Sequence, residues 1–244
     1  MKAAKPRHRI KKTELLAALG LVGAAASAGV VVSRRFRSGT SETPETPRTA
    51  SPLIGHEFSF LGHIFRVLES ARETDDGSLR YDYSAPPGAN VSEHTHNFQE
   101  ESFEVVSGKL GLRVGGKEMI LTAGQSATGP SRVPHAWWNP SEEERVGFQG
   151  GIRPGIEVET IFETVLGLME QGKTIGPFPK NPLQTAVLAR EIASWVVLGS
   201  VEKALLAPLL ALAFVGRLLG YKARYPGYSG QETGNPEEAT APSG

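Results

Sequence analysis

A chain of 244 residues with 39% apolar content holds core-forming material for one domain or two small ones. Lys+Arg and Asp+Glu both number 26, so the formal net charge is zero and the chain as a whole offers no electrostatic footprint for nucleic acid. Cysteine is absent, which excludes disulfide staples, thiolate metal ligands and cysteine nucleophiles; any metal must be held by His, Asp or Glu.

The first element is a leader, residues 1–37. Leu15 to Val32 is an uncharged run, preceded by six Lys/Arg and followed closely by Arg34, Arg35 and Arg37. As a helix it reaches roughly 27 Å, close to the thickness of a bilayer's hydrocarbon core. The positive-inside bias keeps the N-terminus cytoplasmic and carries the rest across. Three readings stay open: an uncleaved N-terminal apolar anchor helix, a secretory signal cleaved at the small residues Ala26–Ala28, and a soluble protein with an apolar leader. The first leaves the following domain membrane-anchored and extracytoplasmic, the second secretes it. Residues 38–52, rich in Ser, Thr and Pro, cannot bury enough apolar surface to order themselves and read as a linker.

From 53 to 153 the texture changes to short strand-like runs broken by turn residues: "FSFLGHIFRVLE", "LRYDYS", "ESFEVV", "KLGLRV", "KEMILTA", "RVGFQGGI". That spacing predicts an antiparallel barrel or sandwich. Leu110, Leu112 and Val114 alternate with Gly111 and Arg113, and Gly115-Gly116 supplies the positive φ of a tight hairpin. Past Pro154 the apolar period moves toward 3.6, so residues 154–228 read as a helical extension. Val158, Ile161, Phe162, Val165, Leu166 and Met169 form one stripe, with Gly172 placed to end that helix. A second helix begins at Asn181-Pro182 and carries Leu183, Val187 and Trp195. The third segment, Ala204 to Val215, is apolar on every side, too short to span a bilayer and interrupted by Pro208. It reads either as a helix buried on the barrel or in a dimer interface, or as an interfacial membrane helix. Residues 229–244 form a polar tail. No phosphate-cradling glycine loop and no Gly-x-Ser-x-Gly elbow is present.

The chemistry concentrates in "EHTHNFQEESFEVVSG", residues 93–108. On a strand, side chains two apart share a face, so His94 and His96 present their imidazoles to one point. Glu101 shares a face with Phe103 and Val105, which read as core, whereas Glu100 faces the other way. His135 opens a short strand after the turn in "TGPSRVPHAWWNP". A lone histidine in any of these places reads as a solvated turn residue or a satisfied core residue.

The arrangement as a whole resembles the cupin family. The first cupin motif, Gly-x5-His-x-His, three or four residues, Glu, six residues and Gly, falls on Gly88, His94, His96, Glu101 and Gly108. Its spacing also selects Glu101 over Glu100. The second, Gly-x5-Pro-x-Gly-x2-His-x3-Asn, falls on Gly124, Pro130, Arg132, His135 and Asn139, with Arg132 standing where the motif has Gly. If that position needs positive φ, arginine is strained there; alternatively its guanidinium lies near the barrel mouth and attracts an anionic ligand.

The resemblance implies a mainly β fold, a double-stranded β-helix (jelly-roll) barrel over 53–153 followed by C-terminal helices. It implies a homodimer, and a metal site made of His94, His96, Glu101 and His135. Three imidazoles and a carboxylate suit a divalent transition metal (Fe, Mn, Ni, Cu or Zn) with one or two positions open. The leading expectation is an oxidoreductase of the cupin dioxygenase kind, acting on a small chelating enol, phenol or diketone. Phe103, Trp137, Phe148, Tyr83 and Gln149 are the candidate substrate contacts, against ordinary core packing for the aromatics; Tyr81 and Trp138 are further aromatics of the barrel. Two alternatives stand beside it: a metal-dependent isomerase, lyase or hydrolase with Glu100 as a possible base, and a non-catalytic module that holds a small ligand or metal at the membrane.

Overall fold

The computed structural model describes residues 51–176, 178–198 and 200–225. The N-terminal apolar helix, the linker up to Ala50 and the polar tail expected from the sequence fall outside the described residues. The elements run β1 (Glu57–Phe60), β2 (His63–Glu69), β3 (Leu79–Ala85), β4 (Asn90–His96), β5 (Glu100–Ser107), β6 (Lys109–Val114), β7 (Lys117–Thr122), β8 (Ser126–Gly129), β9 (His135–Trp138), β10 (Val146–Arg153), α1 (Ile156–Glu170), β11 (Thr174–Ile175), β12 (Phe178–Pro179), α2 (Pro182–Ile192), β13 (Val196–Leu198) and α3 (Ser200–Leu218).

Strands β3 to β10 pass between two antiparallel sheets, as a jelly roll requires. One sheet has the order β1-β2-β3-β10-β5-β8, the other β13-β4-β9-β6-β7. Alternation sets the inner face: Leu79, Tyr81, Tyr83 and Ala85 of β3 point in, as do Glu101, Phe103 and Val105 of β5. The β6–β7 turn is the expected one, with Gly115 and Gly116 at φ +55° and +80° and Val114 opposite Lys117.

The predicted stripe of α1 is buried against the barrel apart from half-buried Met169, and Phe162 meets Phe65 edge-on at 4.9 Å. Gly172, at φ +65°, ends the helix as expected: the Gly172 N–H reaches the Met169 carbonyl and the Lys173 N–H the Leu168 carbonyl, both at 2.9 Å. A buried ionic network joins α1 to the β2–β3 connection. Arg72 grips Glu163 with two nitrogens and Glu159 with one at 2.7 Å, while the Ser70 hydroxyl and the Ala71 N–H donate to Glu159.

Asn181 caps α2 through its side-chain oxygen, which accepts the Leu183 N–H at 2.9 Å, and Pro182 takes the first helical position. The helix ends at Ile192, so Trp195 does not belong to it, contrary to the sequence expectation. The open edge of β4 is what ends the helical run: Val196–Leu198, a β-favouring segment, pairs there in antiparallel register. α3 packs on α2 through Leu209, Leu210, Ala213 and Gly216. A Cβ at Gly216 would lie 2.8 Å from the Val187 side chain and 2.9 Å from the Leu183 carbonyl oxygen. Among the described residues no helix is long and apolar enough to cross a membrane.

Candidate metal centre

β4 and β9 are neighbours with His94 directly opposite His135, and β5 faces them across the barrel. The structure brings His94, His96, Glu101 and His135 together, with one ligand atom from each lying within 4.8 Å of all the others. Glu101 Oε2 stands 3.2 Å from His135 Nε2, 3.5 Å from His96 Nε2 and 3.7 Å from His94 Nε2. All four residues are at most 1% exposed.

Each imidazole is aimed by its other nitrogen. His94 Nδ1 lies 2.9 Å from the Ser92 carbonyl and His135 Nδ1 2.9 Å from the Val133 carbonyl. A carbonyl only accepts, so Nδ1 carries a proton in both and Nε2 is turned inward. His96 Nδ1 is held at 3.1 Å by the side-chain oxygen of Gln99, itself fully buried. Glu101 is aimed too, since its second oxygen accepts the Tyr81 hydroxyl at 3.0 Å.

The fit to a cation rests on two orphans. Nε2 of His94 and of His96 are buried without a hydrogen-bond partner, an arrangement that costs free energy unless something accepts their lone pairs. A divalent transition metal does so, and a carboxylate oxygen beside them completes a hard and borderline donor set. The protonation pattern agrees. Burial works to raise the Glu101 carboxyl, but His135, His94 and His96 outweigh it and hold the group well below the usual carboxylate range. Burial lowers His94, whereas at His135 the bond to Glu101 overcomes burial and raises it.

Two glycines make room for this geometry. A Cβ at Gly129, which pairs with Glu101, would stand 2.8 Å from the His135 ring, and one at Gly150 would stand 2.3 Å from the Tyr81 ring. Gln99, Gly129, Gly150 and Trp195 are contributors that the sequence reading did not assign to the site. Gln99 sits between Phe98 and Glu100 in a polar stretch and Gly129 next to a proline, so both look like turn residues. Trp195 arrives through β13, with its indole parallel to the His96 ring at 9° and 6.3 Å between centroids, and its Nε1 buried without a partner.

The aromatic candidates divide. Tyr83 stacks on Phe148 at 5.2 Å, Trp137 meets both edge-on, and Phe103 tilts against Phe148 at 5.8 Å, so these four form a packed cluster inside the barrel. Gln149 is not brought to the site. Strand alternation turns Phe148 in and Gln149 out, where its amide donates to Asp82 at 3.2 Å. Glu100 likewise faces outward and pairs with Arg153 at 3.4 Å, so it is not positioned as a base. Trp138 lies on the outer face under the Arg113 guanidinium, 5.9 Å from its ring centroid. Arg132 adopts φ +64°, and its Nε donates to the Asn97 carbonyl at 3.2 Å; the side chain is spent on the turn before His135 instead of reaching toward an anionic ligand.

Residues 82–147 match the cupin domain family. Solved structures similar to part of this chain include the cupin domain of Cnp3 from Schizosaccharomyces pombe, 15% identical, TM-score 0.34, with 37% of this chain and 60% of that one covered. KdgF from a Halomonas species is 16% identical with TM-score 0.36, covering 41% and 86%. A predicted oxalate decarboxylase from Thermotoga maritima is 20% identical with TM-score 0.36, covering 42% and 93%. This chain thus spans less than two thirds of the Cnp3 domain but most of the other two. No curated protein sequence matches the chain. The cupin match ends before β10 is complete, and the helices and β13 that follow lie beyond it.

Proposed function

We propose that this cupin holds a divalent transition metal on His94, His96, Glu101 and His135 and uses it as a dioxygenase-like oxidoreductase on a small chelating molecule. The observation that carries the metal reading is the pair of buried, partnerless Nε2 atoms beside a carboxylate held in its charged form. A bound first-row metal supplies Lewis acidity and, for Fe, Mn or Cu, a place to hold substrate and dioxygen together. The chain's own residues orient the donors, keep bulk water away from them and present Tyr81 as a hydrogen-bonded phenol against Glu101; burial raises that phenol far above its ordinary range, so it stays protonated.

The near-complete burial of the four groups favours a second reading, a module that keeps a metal or small ligand without turning it over. Metal analysis of protein purified from its own host, followed by oxygen-uptake assays with chelating phenols and diketones, separates the readings. A redox metal with oxygen uptake supports the dioxygenase. Zinc without uptake points to isomerase, lyase or hydrolase chemistry, and a folded but metal-free centre points to the module. His96→Ala and Glu101→Ala are expected to lose most bound metal with the barrel still folded; full occupancy in both defeats the ligand assignment.

The leader bears on location. Its uncharged run and basic flanks support a membrane-anchored protein with the cupin barrel outside the cytoplasm, the secreted form being the alternative.

A further inference from the structure

α3 has two apolar faces. The one toward α2 carries Leu209, Leu210, Ala213, which is 2% exposed, and Gly216, which is pressed on Val187, while a second set of bulky side chains points away from the protein. Phe214 is 71% exposed, Leu218 70%, Leu219 59%, Val215 43% and Leu212 40%. At 100° per residue these positions share one continuous arc of the helix, and the sequence from Ala204 to Gly216 contains no charged residue. The helix is not loose. Tyr221 and Tyr225, just beyond it, lock onto α2 through Asn181 and Gln184 at 2.7 and 2.9 Å.

We propose that this outer face of α3 lies on the surface of a lipid bilayer, the same bilayer that receives the leader. The inference rests in part on the anchor reading given above, and three observations favour this occupant. First, where the chain enters the folded body, Ser51 bonds to Glu163, and where it leaves α3, the Ala223 carbonyl accepts from Thr164. Those partners are consecutive residues of α1, so the first described residue and the segment after α3 both contact the same turn of that helix. Residues 33–50 span at most roughly 60 Å, which keeps the body close to the membrane holding the leader. Second, cations stand at the end of the apolar face: Arg217, Lys222 and Arg224 are exposed, and Arg217 and Arg224 share the carboxylate of Glu191. Anionic headgroups suit them. Third, the face is too small for a stable pair of copies. Ala207 to Leu219 makes a strip about 20 Å long and about 10 Å wide, well short of the roughly 800 Å² that each partner of a stable complex buries.

Because the chain has no cysteine, single probes can be placed cleanly. The full chain carrying Phe214→Cys, Ala24→Cys or Glu143→Cys is labelled with an environment-sensitive fluorophore. It is then reconstituted in vesicles of phosphatidylethanolamine and phosphatidylglycerol with or without nitroxide-bearing lipid. The probe at 214 is expected to lose about half of its emission or more to the lipid nitroxide, while the one at 143 is unaffected. Quenching at 24 but not at 214 overturns the proposal and leaves the anchor standing. Quenching at 214 but not at 24 sustains the docking face and removes the anchor. A 214 probe reached by aqueous iodide instead, or shielded from both quenchers, overturns it, the latter showing the face covered by the protein's own chain. Self-quenching at 214 that grows with protein density also overturns it, in favour of a second copy.

Discussion

At the scale of single residues, the centre depends as much on groups that take up no space as on those that bind. Gly129 allows the His135 ring to lie flat against β8, where any side chain would stand within 2.8 Å of it. Gly129→Ala is therefore expected to push His135 off its line with Glu101 and weaken metal binding about 10–100-fold, the range seen for lost support around a metal ligand. Isothermal titration with Zn²⁺ or Co²⁺ measures this, and unchanged affinity shows that β8 yields without cost. His63 offers a separate handle away from the candidate metal centre. It is buried with Nδ1 2.9 Å from the Tyr83 hydroxyl, and burial, aided by Arg145, lowers it from the ordinary 6.5 to about 4. Between those values the unfolded chain takes up a proton that the folded one refuses, so stability must fall as pH drops from about 6.5 toward 4 and the dependence ends below that. Denaturant titrations of the protein and of His63→Gln across this range test the sign. The stability difference between wild type and variant should shrink on acidification, and a difference independent of pH rules out this role for His63.

At the scale of elements, the joint between α1 and the β2–β3 connection is where a single substitution is expected to be costly. Arg72 faces two carboxylates whose side chains are 0% and 1% exposed, and neither Ser51 nor Ser70 brings charge to replace it. Arg72→Met leaves both acids buried without a cation and is expected to cost about 3–5 kcal/mol, read by urea unfolding, with Arg72→Lys recovering only part because it loses the two-nitrogen grip on Glu163. A loss under about 1 kcal/mol shows that water replaces the guanidinium there. None of this network was legible from the sequence, since Arg72, Glu159 and Glu163 have no pattern in common until the chain folds. What was legible followed local rules. The Gly115-Gly116 hairpin, the α1 stripe with its Gly172 stop and the Asn181-Pro182 start each need only neighbours in sequence to form. Ligand spacing belongs to the same class, because His94 and His96 share a strand face and Glu101 shares one with Phe103. β13 fell outside those rules: Val196–Leu198 carries no turn signal, and what makes it a strand is the free edge of β4 about a hundred residues earlier. Trp195, eight positions after Val187, continued a helical spacing that the edge pairing then broke.

For the molecule as a whole, that pairing joins two parts with different sequence signals into one. β13 lays Val196 opposite His96 and Leu198 opposite His94, and the Asn97 N–H closes the register on the Trp195 carbonyl at 2.8 Å. The extension thus pairs with the strand that carries two of the candidate ligands, and it shares a continuous apolar core with the barrel. A core of that extent does not need a metal to form, unlike a small zinc-dependent domain. Removing metal with a chelator should lower stability only by the binding term, about 2.7 kcal/mol at a hundredfold excess over Kd, and leave the barrel folded by circular dichroism. The same operation should be visible from the extension. Trp195 is the indole beside His96, whereas Trp138 lies outside the barrel on Arg113. Loading with Cu²⁺ or Co²⁺, which quench nearby indoles, should dim the protein's emission. Trp195→Phe should abolish much of that response while Trp138→Phe preserves it. If both variants respond as the wild type does, Trp137 is the reporter, and the extension is a neighbour of the centre without being sensitive to its occupancy. If only Trp195→Phe is silent, the segment appended to the barrel senses whether the candidate centre is occupied.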